Sequence, residues 1–171
     1  MKEMLKYSLI LCFICIAAAG LLSGVYSITN PRIEAQAQAE IKTSLKQVLP
    51  QAATFEPIVE NKEILYYKAR NAKKEIIGVV FTAIAKGYSS AIETMAAMTP
   101  NGEIIAIKVI AQNETPGLGT RITEKEFTSR FAKKSIDELS KVSTISGATI
   151  SSSSVITSIK QKGEEIRKYL K

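Results

Sequence analysis

The sequence predicts an α+β domain, with an antiparallel sheet and flanking helices, preceded by one N-terminal transmembrane helix. Three observations carry this. Strand-like runs follow one another in series through the middle of the chain instead of alternating with helices, which favours segregated strands and helices over βαβ units. Asn101-Gly102 stands between two apolar runs, a hairpin signal because that pair accepts positive φ. No charged residue interrupts the stretch from Tyr7 to Ile28.

At about 1.5 Å per residue this stretch reaches about 33 Å, enough for a hydrocarbon core of roughly 30 Å. A cleaved signal peptide is the rival reading, with Ala17-Ala18-Ala19-Gly20 supplying small residues. The apolar part of such a peptide is only about 7–15 residues, and here the run continues past those alanines, so a retained anchor over residues 7–28 is expected. Lys2 and Lys6 precede it, and positive charge beside a span favours the cytoplasmic side. Residues 1–6 are then cytoplasmic and residues 30–171 form one extracytoplasmic domain, held at the cytoplasmic (inner) membrane by a single pass.

Asn30 as N-cap and Pro31 at the first helical position open a helix that Pro50 closes; Ile33, Ala37, Ile41 and Leu45 give it an apolar face. "EILYYKAR" and "EIIGVVFTAIAKGY", rich in β-branched and aromatic residues, read as strands around the polar turn "NAKK". "AIETMAAM" and "EIIAIKVIAQ" are the two arms of the hairpin. "NETPGLG", Asn113 to Gly119, is an irregular loop leading to a short helix around Glu124 to Ala132. Last, "STISGATISSSS" starts an amphipathic helix in which Val155, Ile159, Ile166 and Leu170 share a face.

Composition narrows the chemistry. With 46% hydrophobic and 23% charged residues the chain is globular rather than disordered, and its length beyond the span suits one domain. Histidine is absent, which removes imidazole as base or ligand and with it a Ser-His-Asp hydrolase. The only cysteines, Cys12 and Cys15, lie in the apolar run, so the rest holds neither a disulfide framework nor a thiolate metal site. No metal site and no catalytic side chain are expected. The formal net charge of +7 permits contact with anionic lipid, phosphate or an acidic partner. Because the charges are scattered, a solvated surface is the plainer reading, and nucleic acid is not an expected partner.

Two stretches invite a functional reading. In "NETPGLG" a proline and two glycines make a backbone that can approach a ligand closely, with Glu114 its single charge; a tight strand-to-helix connection explains the same residues. In "SGATISS" the small Gly147 and Ala148 keep bulk away, and Thr149 falls where helix amides and dipole favour an anion such as phosphate. A simply capped turn, with Ser151 or Ser152 serving as a helix cap, is the alternative.

Together and in this order, "GYSSAIETMAAMTPNGEIIAIKVIAQNETPGLGTRI" and "ISGATISSSSVITSIK" resemble the FMN-binding domain of the RnfG and NqrC subunits of ion-translocating electron-transport complexes. The short length is more similar to RnfG. The resemblance implies FMN bound covalently through a phosphoester on Thr149, installed by a flavin transferase that uses FAD. It implies that Ser146, Gly147 and Ala148 shape the turn around the phosphate, and that Glu114, Thr115, Gly117, Leu118 and Gly119 line the flavin. The chain would be a redox subunit without independent catalytic activity, partnered by the other membrane subunits of a complex linking ferredoxin and NAD to sodium-ion or proton movement. In one respect the sequence departs from the family: the transferase motif commonly carries an acidic residue six positions before the threonine, and Ser143 stands there. That departure favours an alternative, a membrane-tethered FMN-domain binding or scaffold module outside the Rnf complex and without flavin.

Overall fold

The computed structural model describes residues 2–60 and 63–170 and divides into two units, residues 1–42 and 43–171. Both share one helix, α1, Lys2–Val48. Within the first unit it is long and apolar enough to cross a membrane, with none of its apolar window buried against protein. No new helix begins at Asn30. The Asn30 side chain bonds Glu34 Oε1 at 2.9 Å instead of capping, and Pro31 lies inside α1. Proline costs a helix one amide donor and crowds the carbonyl four residues back. Here the Ala-, Gln- and Glu-rich sequence that follows favours helix strongly enough to carry it through.

The second unit is a five-stranded antiparallel meander with strand order β1-β2-β3-β4-β5. Its strands are β1 (Thr54–Glu60), β2 (Glu63–Arg70), β3 (Ile76–Lys86), β4 (Ala91–Met98) and β5 (Ile104–Ala111). β1 lies outside the strands expected from the sequence; it carries Pro57, whose missing amide is tolerated at the sheet edge. The β4–β5 hairpin has a three-residue loop in which Thr99 pairs with Glu103 and the Gly102 amide donates to the Thr99 carbonyl. Only Gly102 there has positive φ, +88°. Asn101 keeps negative φ because Pro100 starts an ordinary turn and the glycine alone absorbs the strand twist.

After β5 come a 3-10 turn at Gly119–Thr123, the short α2 (Lys125–Thr128) with a 3-10 turn at Ser129–Phe131, another at Ile136–Lys141, and α3 (Thr149–Tyr169). The expected helix around 124–132 is thus one α-turn continued as 3-10. Val155, Ile159 and Ile166 of α3 are fully buried with Phe81, Ala96, Met98 and Ile104 of the sheet and with Phe127, Phe131, Ile136 and Leu139 beneath. Leu170 packs against this core as partly buried.

The opposite sheet face carries Val80, Met95 and Ala97, also buried. The end of α1 and the residue after it supply Leu45, Val48 and Leu49, likewise buried, and Lys108 Nζ on β5 donates to the buried Ser44 Oγ at 2.8 Å. A fragment of residues 43–171 should therefore fold alone, whereas one starting at Thr54 strips the apolar cover from this face. Thermal melting and size-exclusion chromatography of the two fragments check this, and aggregation of the longer one would contradict it.

Candidate functional site

Three segments end at one place. β3 and β4 are joined by Gly87-Tyr88-Ser89-Ser90, closed by the Gly87 amide donating to the Ser90 carbonyl at 2.7 Å. The loop after β5 brings in Glu114, only 5% exposed. Its carboxylate accepts from the amides of Ser89 and Ser90 at 3.0 Å each through Oε1 and from the Tyr88 amide at 3.2 Å through Oε2. Oε2 also accepts from Ser151 Oγ of α3 at 2.5 Å.

Burial pushes the Glu114 carboxyl up, but the bonds from Ser151 and from the Ser90, Ser89 and Tyr88 amides outweigh it and hold the group below the ordinary 4.5. A group lowered on folding stabilises the fold above its unfolded value and loses that contribution as pH falls through the folded one. Melting temperature should therefore drop on acidification below about pH 4.5. In Glu114→Gln that part of the acid dependence should vanish, and an unchanged pH profile of the variant would contradict the assignment.

Glycine is demanded beside this carboxylate for want of space. A Cβ on Gly87 would stand 2.6 Å from Glu114 Oε1, and one on Gly119 would stand 2.7 Å from its Cβ and Oε2. Gly117 differs: nothing crowds it, but its φ is +74°, and its amide donates to Thr120 Oγ1 at 3.0 Å.

The third wall is the start of α3. Gly147, φ +82°, turns the chain, and Ala148 occupies the N-cap without a side-chain cap bond. Neither Ser151 nor Ser152 is the helix cap, a correction to the sequence reading, because both lie inside the helix. Ser152 Oγ accepts from the Ile145 amide at 3.1 Å and donates to the Ala148 carbonyl at 2.8 Å, tying the preceding turn to the helix. Thr149, the first helical residue, is exposed, and among the described residues its hydroxyl makes no hydrogen bond. First-turn amides of a helix lack intrahelical partners and carry the positive end of the dipole.

These walls enclose a cavity of about 370 Å³ lined by Tyr88, Glu114, Thr115, Leu118, Gly119, Gly147, Ala148, Thr149, Ile150 and Ser151. Of the expected residues, Ser146 and Gly117 are not part of the lining. The Ser146 carbonyl is engaged by Arg121 Nη1 at 3.3 Å, and Gly117 shapes the loop from outside. Glu114 does line the cavity, but as a buried carboxylate bonded to protein, not as an exposed loop residue. Tyr88, Ile150 and Ser151 were missed. "GYSS" gave no reason to single out Tyr88, and nothing distinguishes Ser151 from its three serine neighbours except its place on the side of α3 that meets Glu114. Tyr88, Leu118 and Ile150 are 70%, 50% and 55% exposed and form an apolar rim.

The lining suits FMN. Its size falls within the range of ligand sites, its rim offers apolar surface to a flat ring, and an unbonded hydroxyl stands among helix-start amides where a phosphate is favoured. The segment before it is pinned by Arg130, whose Nη1 donates to the Ser143 and Thr144 carbonyls at 2.9 and 3.2 Å. The nearby acids are engaged elsewhere: Asp137 accepts two bonds from Arg167 and Glu138 pairs with Lys141.

Comparison with known proteins gives the same picture. A family model of the FMN-binding domain matches residues 87–162, and one of the RnfG N-terminal region matches residues 1–48. The G subunit of the proton-translocating ferredoxin:NAD(+) oxidoreductase complex of Clostridium ljungdahlii is 32% identical over 91% of this chain and 87% of its own. The G subunit of the ion-translocating oxidoreductase complex of Methanosarcina acetivorans is 31% identical over 92% of each. Its counterpart in the Na(+)-translocating ferredoxin:NAD(+) oxidoreductase complex of Acetobacterium woodii is 27% identical over 92% of this chain and 89% of its own. Among solved structures, NqrC of Shewanella oneidensis matches with a TM-score of 0.52 at 20% identity, covering 71% of this chain and 74% of that one, a likeness of fold.

Proposed function

We propose a function from one premise: this chain belongs to the RnfG family, the G subunits of ion-translocating oxidoreductase complexes. It is a redox subunit of such a complex, an electron carrier that binds FMN and works beside other subunits, anchored by α1. The finer reading is that FMN is bonded covalently to Thr149. The observation that supports it most is the unbonded Thr149 hydroxyl at the cavity lip, on the first residue of α3.

When bound, FMN supplies the electron-carrying ring; the protein supplies attachment, orientation and electrostatics. Thr149 would hold the group: a flavin transferase would join its Oγ1 to the FMN phosphate of FAD, with AMP and the hydroxyl proton leaving. The first amides of α3 would meet the phosphate charge, and Gly147 would leave room for it. Leu118, Tyr88 and Ile150 would offer apolar surface to the ring. In this reading residues 7–28 span the membrane, residues 1–6 are cytoplasmic and the domain lies outside the cytoplasm. There a covalent bond prevents loss of the cofactor by diffusion.

Purification of the full chain after co-expression with a flavin transferase tests the reading: the protein should be yellow and remain so after denaturation. Colourless protein would favour the scaffold alternative that Ser143 raises.

A further inference from the structure

We propose that Glu114 is the positioning residue of this site, a single buried anion that joins the three walls of the cavity. This rests on the flavin reading only for its effect on the cofactor.

The geometry is convergent. One carboxylate accepts from three successive amides, those of Tyr88, Ser89 and Ser90, and from the Ser151 hydroxyl. The Ser90 hydroxyl in turn accepts from the Asn113 amide at 2.8 Å, and the Glu114 amide donates to Gln112 Oε1 at 2.7 Å, so the loop carrying Glu114 is fixed at both sides. Among the described residues no other side chain joins the β3–β4 loop, the loop after β5 and the start of α3 by hydrogen bonds. Gly87 and Gly119 close against the same oxygens, and a side chain at either would push Glu114 off its partners. Every lining residue is on one of the segments it joins.

Charge gives this role a second consequence. No ion pair neutralises Glu114 among the described residues, while hydrogen bonds from neutral donors leave its net charge in place. An uncompensated anion at the wall of the cavity opposes the addition of electrons to a ring bound there.

The test uses the full chain in detergent, as wild type, Glu114→Ala and Glu114→Gln. In the protein without flavin, hydrogen exchange of the 87–91 peptide should be at least tenfold faster in the Ala variant. The Gln variant, which keeps an acceptor oxygen for Ser89 and Ser90, should retain most of the protection. In flavin-loaded protein, Glu114→Gln should raise the reduction potential, shifting the reduced-to-oxidised ratio about tenfold at the wild-type midpoint. Equal exchange in the Ala variant would overturn the positioning role. A potential unmoved by Gln would overturn the charge effect, since a purely structural residue predicts that result. A wild-type chain that takes up no flavin would count against the flavin reading instead, and the exchange comparison would still decide whether Glu114 joins the walls.

Discussion

Replacing Thr149 by alanine or valine is expected to abolish the covalent flavin while leaving the domain folded. The side chain is exposed and its hydroxyl makes no bond to the described protein, so truncation removes the attachment oxygen and little else; surface changes of this kind usually stay within about 0.5 kcal/mol. Thr149→Ser should keep part of the modification, because the oxygen survives although the methyl that restricts its rotamer is lost. Intact-protein mass and in-gel flavin fluorescence, after co-expression with a flavin transferase, read the result directly. A flavin mass persisting in Thr149→Ala would move the attachment elsewhere. A wild-type chain with no added mass would point to Ser143, and Ser143→Asp should then restore the modification.

The largest purely structural effect is expected at Gly163. In an exposed helix, Gly→Ala gains up to about 1 kcal/mol from propensity. Here an added Cβ would stand 2.2 Å from Ile136 Cδ1 and 3.4 Å from Phe81 Cζ, both on fully buried side chains. Gly163→Ala should therefore destabilise the domain by about 1–3 kcal/mol, the usual cost of overpacking, and Gly163→Leu by more. Chemical denaturation reads both; a stabilised Ala variant would show that Ile136 has room to turn away.

How much of this was legible in the sequence depends on the distance over which each feature is decided. The face of α3 followed from helical spacing at Val155, Ile159 and Ile166, and β2 to β5 followed from local pattern and from the Asn101-Gly102 turn. Thr149 stood out because small residues and a helix start are neighbours of it in the chain. The Ser151–Glu114 bond was not legible: it spans 37 residues, and four consecutive serines offer the same chemistry until the helix phase selects one. The burial of Glu114 was hidden for the same reason, since its partners are backbone amides, which every residue has. Pro31 misled, because it is carried inside a helix whose neighbours outweigh one missing donor; the edge strand with Pro57 was simply left unassigned.

The nearest-neighbour order of the sheet has a consequence for how the protein matures. Each strand pairs only with the strand before or after it, so the meander can assemble hairpin by hairpin as the chain becomes available, with short loops to close. The cavity cannot. Its walls are joined across 24 to 37 residues, and the last wall belongs to the C-terminal helix. A chain stopped before α3 would lack Thr149, the Ser151 partner of Glu114 and the third wall of the pocket. With FMN carried on Thr149, as proposed, only a chain synthesised to its final helix offers that hydroxyl beside a closed cavity.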